Sequence, residues 1–103
     1  MTFGLRQSDV VEIVAVLKRF PKIDGALIFG SRAKGNHQQG SDVDIAVKGE
    51  QVTRQDIAAI SVLLNEESST PYFFDVVHYE TITDLALREH IDRVGQTLDL
   101  SLH

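Results

Sequence analysis

Apolar residues recur along this chain with two different periods. Val10, Ile13, Val14, Leu17 and Phe20 fall at helical spacing, with Glu12, Lys18 and Arg19 between them. The pattern predicts an amphipathic helix capped by Ser8 and ended before Pro21, its basic end (Lys18, Arg19, Lys22) complementing the helix dipole. "GALIF", residues 25–29, is the short continuous apolar run of a buried central strand. "DVDIAV", residues 42–47, alternates instead. Val43, Ile45 and Val47 face one way, and Asp42, Asp44 and Ala46 the other. Thr53 and Asp56 have capping-box spacing ahead of a stripe of Ile57, Ile60, Leu63 and Leu64, which predicts a helix ending near Asn65. "YFFDVVHY", residues 72–79, reads as a third strand, rich in aromatic and β-branched residues. Thr83 is placed to cap a last helix from Asp84 to about Val94, with Leu87, Ile91 and Val94 inward and Gly95 at its C-terminal cap. "TLDLSL" adds a short strand or a docking tail.

The order is helix, strand, short helix, strand, helix, strand, helix. It predicts an α/β (α+β) layer of helices against a small sheet, and it fits parallel or mixed strands equally. No repeat, low-complexity tract or linker divides residues 1–103, so one domain is expected. The composition, 43% hydrophobic and 24% charged, is that of a folded chain. The net charge of −5 argues against general nucleic-acid binding and leaves a local nucleotide site open. With no cysteine, disulfides and thiolate metal sites are excluded. No membrane segment or signal peptide is evident, so a cytoplasmic location is the expectation.

The chemistry lies around residues 28–47. Asp42 and Asp44 are two apart on one strand, so their carboxylates share a face roughly 6–7 Å apart at Cα. An oxygen-rich pair of this kind suits Mg²⁺, which cancels the repulsion. Asp75 sits among apolar neighbours, where a charge is costly unless it is paired, protonated or metal-bound. If its strand lies beside the Asp42/Asp44 strand, the three can hold two metals for in-line displacement at phosphorus. Gly30 and Ser31 stand where the first strand gives way to a short helix. Backbone N–H groups at such a junction favour phosphates, with Arg32 and Lys34 near enough to add charge. "GSRAKG" is not a Walker A loop, because Asn36 and His37 replace its Lys and Ser/Thr.

Gly30-Ser31, ten residues, then Asp42-Val43-Asp44, with Asp75 on a later strand, resembles the signature of the nucleotidyltransferase superfamily that includes DNA polymerase β. "FGSRAKGNHQQGSDVDIAV" is especially similar to the stand-alone minimal nucleotidyltransferases. The resemblance covers nearly the whole chain and implies a small mixed sheet with flanking helices. It implies that Gly30 and Ser31 hold the nucleotide phosphates. It also implies that Asp42, Asp44 and Asp75 bind Mg²⁺, and that Asp75 helps to activate the attacking hydroxyl. The implied reaction moves a nucleoside monophosphate, AMP from ATP, to a hydroxyl. The implied partner is a helical HEPN toxin, AMPylated on a tyrosine, with this chain as its antitoxin. Two other functions stand beside it: an antitoxin acting by contact alone with a vestigial nucleotide site, and nucleotidylation of a small molecule such as an aminoglycoside. Homo-oligomerisation is left open. His37 reads as a solvated loop residue, His78 as a core-edge or partner-surface residue, and His90 and His103 lack metal spacing. Tyr72 and Tyr79 read as packing residues, with self-AMPylation left open.

Overall fold

A computed structural model describes residues 5–30, 42–68, 70 and 72–100. The short helix expected after residue 30 therefore lies outside the described residues. Helix α1 (Gln7–Leu17) forms on the predicted stripe, with Val10, Ile13, Val14 and Leu17 buried. Its start differs from expectation: Ser8 lies inside the helix, and Arg6 occupies the cap. Asp9 does the capping. Its carboxylate accepts from the Arg6 backbone N–H at 3.1 Å and from the Arg6 guanidinium at 3.1 and 3.2 Å. A carboxylate at the third helical position reaches back to the cap N–H and meets the positive end of the dipole. The helix also stops at Leu17, so its last turn holds no basic residue. Lys22 instead approaches Asp56 at 3.8 Å.

Strands β1 (Gly25–Phe29) and β2 (Val43–Lys48) pair antiparallel, with Phe29 opposite Asp44. Helix α2 (Arg54–Val62) carries the chain from β2 to β3 (Phe74–His78), which runs parallel to β2. The Thr53/Asp56 capping box forms as predicted, with both bonds at 3.0 Å. Past Val62 the helix widens into a π-helical turn over Leu63–Glu67. Asn65, on that turn, donates its amide to the Phe74 carbonyl at 3.0 Å and accepts from the Phe74 N–H at 2.7 Å.

β3 is shorter than the predicted 72–79 run, because Tyr79–Thr81 turn away in a 3₁₀ helix. Helix α3 (Leu85–Val94) is capped by Asp84 rather than Thr83; Asp84 accepts from the N–H groups of Ala86 and Leu87 at 3.0 and 3.3 Å. The tail adds a strand, β4 (Gln96–Thr97), antiparallel to β1.

The four strands form one mixed sheet in the order β3-β2-β1-β4. Strand alternation sorts the side chains onto two faces. Ile28, Val43, Ile45, Val47 and Phe74 pack with residues of α1 and α2. Phe29, Ala46 and Val77 pack on the other face with Leu87, Ile91 and Val94 of α3. Asp44 and Asp75 belong by alternation to this second face. Among the described residues, no helix is long and apolar enough to cross a membrane.

Candidate active site

Gly30, directly after β1, has a φ of 77°, in the left-handed region that favours glycine. A second constraint acts there as well. A Cβ at this position would overlap Oδ2 of Asp44. Glycine satisfies both demands and leaves the backbone of the turn bare beside the carboxylate. Ser31, Arg32, Lys34 and His37 lie outside the described residues.

Asp44 stands opposite Phe29 on one side and Asp75 on the other. Adjacent strands are about 4.8 Å apart, so Asp44 and Asp75 are a same-face pair of like charges. Asp42, exposed, immediately precedes β2 at the same end of the sheet. Burial pushes the Asp44 carboxyl above its ordinary range, and the charges of Asp75 and Asp42 push it further. The register thus pairs Asp44 with Asp75, and Asp42 lies two residues before Asp44 at the same end of the sheet. Asp75 departs from expectation in one respect: it is exposed rather than enclosed by its apolar neighbours. Phe74 and Val76 point to the opposite face, and β3 is an edge strand, so the carboxylate reaches water.

Among the described residues, no three His, Cys, Asp or Glu side chains form a ready-made ligand group. Mg²⁺ does not demand one, since it keeps several waters and takes one or two carboxylates together with substrate phosphates. A carboxylate cluster that raises Asp44, set beside a bare glycine turn, fits that ion.

A family model for "Polymerase beta, Nucleotidyltransferase" matches residues 11–99. The chain belongs to this family. Solved structures repeat the nucleotidyltransferase fold. One is a chain of a toxin–antitoxin complex crystallised with AMP-PNP, at TM-score 0.72 and 21% identity, covering 92% of this chain and 73% of that one. Another comes from a tri-AMPylated Shewanella oneidensis HEPN toxin in complex with its MNT antitoxin, at TM-score 0.70 and 21% identity, covering 92% and 72%. A third is a toxin–antitoxin variant with two aspartates, two positions apart, changed to glutamate, at TM-score 0.69 and 18% identity, covering 92% and 73%. At such identities the likeness is one of fold. No curated protein matches the sequence.

One aromatic neighbour of the carboxylates, Phe73, had no functional reading from the sequence. Phe73 is 59% exposed. Its carbonyl accepts from the Val43 N–H at 2.9 Å, a bond that belongs to the parallel pairing of Val43 with Phe74. Continuing that register by one residue sets Phe73 beside Asp42, on the face of Asp75; the sequence, with Phe at both 73 and 74, carries no signal that separates the exposed ring from the buried one. His90 of α3 stands edge-on to Phe29, ring centroids 6.3 Å apart, and Phe29 is the strand partner of Asp44.

Other singled-out residues are held in structural roles. His78 Nε2 donates to the Gly49 carbonyl at 2.8 Å. The Tyr79 hydroxyl donates to Asp92 at 2.5 Å, and Lys48 and Arg88 lie over its ring at 4.6 and 4.7 Å. A groove of 530 Å³ runs along the far part of β3, lined by Ile57, Val76, Val77, Ile82 and Leu87 among others. It contains none of the three carboxylates, and its polar lining is Arg54, His78, Thr81, Thr83 and Asp84.

Proposed function

We propose that this chain is a Mg²⁺-dependent, single-domain nucleotidyltransferase of the cytoplasm. It transfers AMP from ATP to a tyrosine hydroxyl of a helical HEPN partner and silences it as an antitoxin. The observation that carries this is the Asp44–Asp75 register pair, with Asp42 at the same strand end and Gly30 against Asp44. Such a like-charge cluster has a use only where positive charge or electron-poor phosphorus arrives. Its setting agrees with the family, and the neighbours captured with AMP-PNP and with AMPylated HEPN toxin support the choice of nucleotide and partner.

Asp42 and Asp44 would hold the cation, with Asp75 beside them. When bound, the ion supplies charge neutralisation for the phosphates and the carboxylates. Gly30, lacking a side chain, admits the phosphates next to Asp44, and Ser31, Arg32 and Lys34 are proposed to contact them. The acceptor hydroxyl attacks the α-phosphorus; the new O–P bond forms as the bond to the bridging oxygen breaks and pyrophosphate leaves. Asp75, on the open edge, takes the hydroxyl proton and returns it to solvent.

The test is label transfer from ATP marked at the α-phosphorus, with Mg²⁺ and an extract of the host cell. One protein should be labelled on tyrosine, and the Asp42→Ala/Asp44→Ala double variant should label none. Equal labelling by that variant, or no protein labelled by the wild type, would overturn the proposal.

A further inference from the structure

Building on nucleotidyl transfer at these carboxylates, we propose that Phe73 is the acceptor-side platform of the site, an exposed ring that packs against the ring of a phenolic acceptor and selects phenols over aliphatic hydroxyls.

The placement follows from the order of elements across the sheet. Gly30 lies at the β1 side of Asp44, and Asp75 at the β3 side. The bare glycine turn is the place for the phosphates, so pyrophosphate leaves toward β1. In an in-line displacement the attacking and leaving oxygens lie on opposite sides of phosphorus. The attacking hydroxyl therefore enters from the β3 side. On that side Phe73 and Asp75 are exposed on their face of the edge strand, although Asn65 covers the backbone edge at Phe74.

Phe73 is what an entering acceptor meets there. It lies two residues before Asp75 on the same face, roughly 6–7 Å away along the strand. It is 59% exposed, whereas Phe74 beside it is 1% exposed in the core. More than half of Phe73 is left in water on the face of Asp75. Aromatic pairs settle with centroids about 4.5–7 Å apart. The same-face spacing of Phe73 and Asp75, roughly 6–7 Å, lets a phenol with its oxygen at Asp75 bring its ring into that range of Phe73. A serine or threonine hydroxyl at the same point presents no ring to it.

The test uses the intact protein with Mg²⁺, ATP labelled at the α-phosphorus, and two small acceptors, N-acetyl-tyrosinamide and N-acetyl-serinamide. Wild type should label the tyrosinamide in preference. Phe73→Ala should raise the KM for tyrosinamide roughly 3- to 10-fold, the span of one aromatic pair. It should leave the KM for ATP unchanged, and Phe73→Tyr should restore the wild-type value. Thermal unfolding confirms that the alanine variant is folded. Unchanged tyrosinamide kinetics in Phe73→Ala, or equal labelling of both acceptors by wild type, overturns the role of Phe73 while nucleotidyl transfer stands. Failure of the wild type to bind Mg²⁺–ATP in calorimetry overturns nucleotidyl transfer, and the platform with it.

Discussion

Asp44 is partly buried between Phe29 and Asp75, and its carboxyl is raised by burial and then by the charges of Asp75 and Asp42. A raised carboxyl opposes folding once it ionises, so at neutral pH the metal-free protein carries a cost there. Asparagine keeps the shape and removes the charge. Asp44→Asn should therefore raise the metal-free melting temperature at neutral pH, on the order of 2–5 °C for one relieved cross-strand repulsion in a domain of this size. Millimolar Mg²⁺ should stabilise the wild type and have a clearly smaller effect on the variant. Scanning fluorimetry with and without the ion measures both; an equal Mg²⁺ response in the two proteins would remove Asp44 from the cation site. The same residue shows how far side-chain pattern reaches. The Asp42/Asp44 spacing was legible because strand alternation is local, whereas the contact of Asp44 with Asp75 depends on a pairing between segments about thirty residues apart. Asp75 itself was noticed for a burial it lacks. Apolar neighbours in sequence lie on the opposite face of a strand, and being at the edge of a sheet is not written in five residues.

The elements were largely legible where a hydrophobic period and a local cap agreed, as in α2 with Thr53 and Asp56. They were less so at the helix starts and where a side chain acts across the fold. Arg6 and Asp84 hold cap positions expected of Ser8 and Thr83, because Asp9 and Asp84 supply stronger carboxylate acceptors one residue further on. The π-helical turn Leu63–Glu67 has no periodic signature, yet it lets Asn65 bond both the N–H and the C=O of Phe74. In the parallel β2–β3 ladder these two groups face away from β2, so Asn65 stands where a further strand would pair. It satisfies the start of an exposed edge and fixes β3, and with it the height of Asp75 beside Asp44. Asn65→Ala should cost roughly 1–3 kcal/mol, the penalty of leaving part-buried backbone groups without partners. It should also lower transfer activity beyond what residual unfolding explains. Urea denaturation measures the first and activity at full folding the second; a change under 0.5 kcal/mol, about the scatter of a surface substitution, would show that water replaces the amide.

For the whole molecule, acidity is distributed unevenly around a net charge of −5. At the carboxylate cluster, ionisation opposes folding. At the start of α1 it favours folding. Asp9 is only 2% exposed, and although burial alone would raise its carboxyl, hydrogen bonds from Arg6 and Tyr72 and the Arg6 charge hold it below the ordinary value. Asp56 is held low as well, by the Thr53 N–H first, with the Thr53 hydroxyl and Lys22 adding to it. A depressed carboxyl contributes stability that is present above its unfolded value, about 3.9 for aspartate, and is lost as the pH falls through the lower folded value. The raised Asp44 contributes the reverse, easing as the pH falls from neutral through its own elevated range. Metal-free protein should therefore gain slightly in stability on mild acidification and lose it steeply below the ordinary carboxylate range. Asp9→Asn should lower neutral-pH stability by up to about 1 kcal/mol through the lost charge pairing with Arg6 and flatten the steep acid limb. Asp44→Asn should leave that limb intact and abolish the mild-acid gain. Urea unfolding of the three proteins across an acid-to-neutral series measures each limb separately. An acid limb equally steep in Asp9→Asn would place the acid sensitivity of the fold elsewhere than the α1 cap.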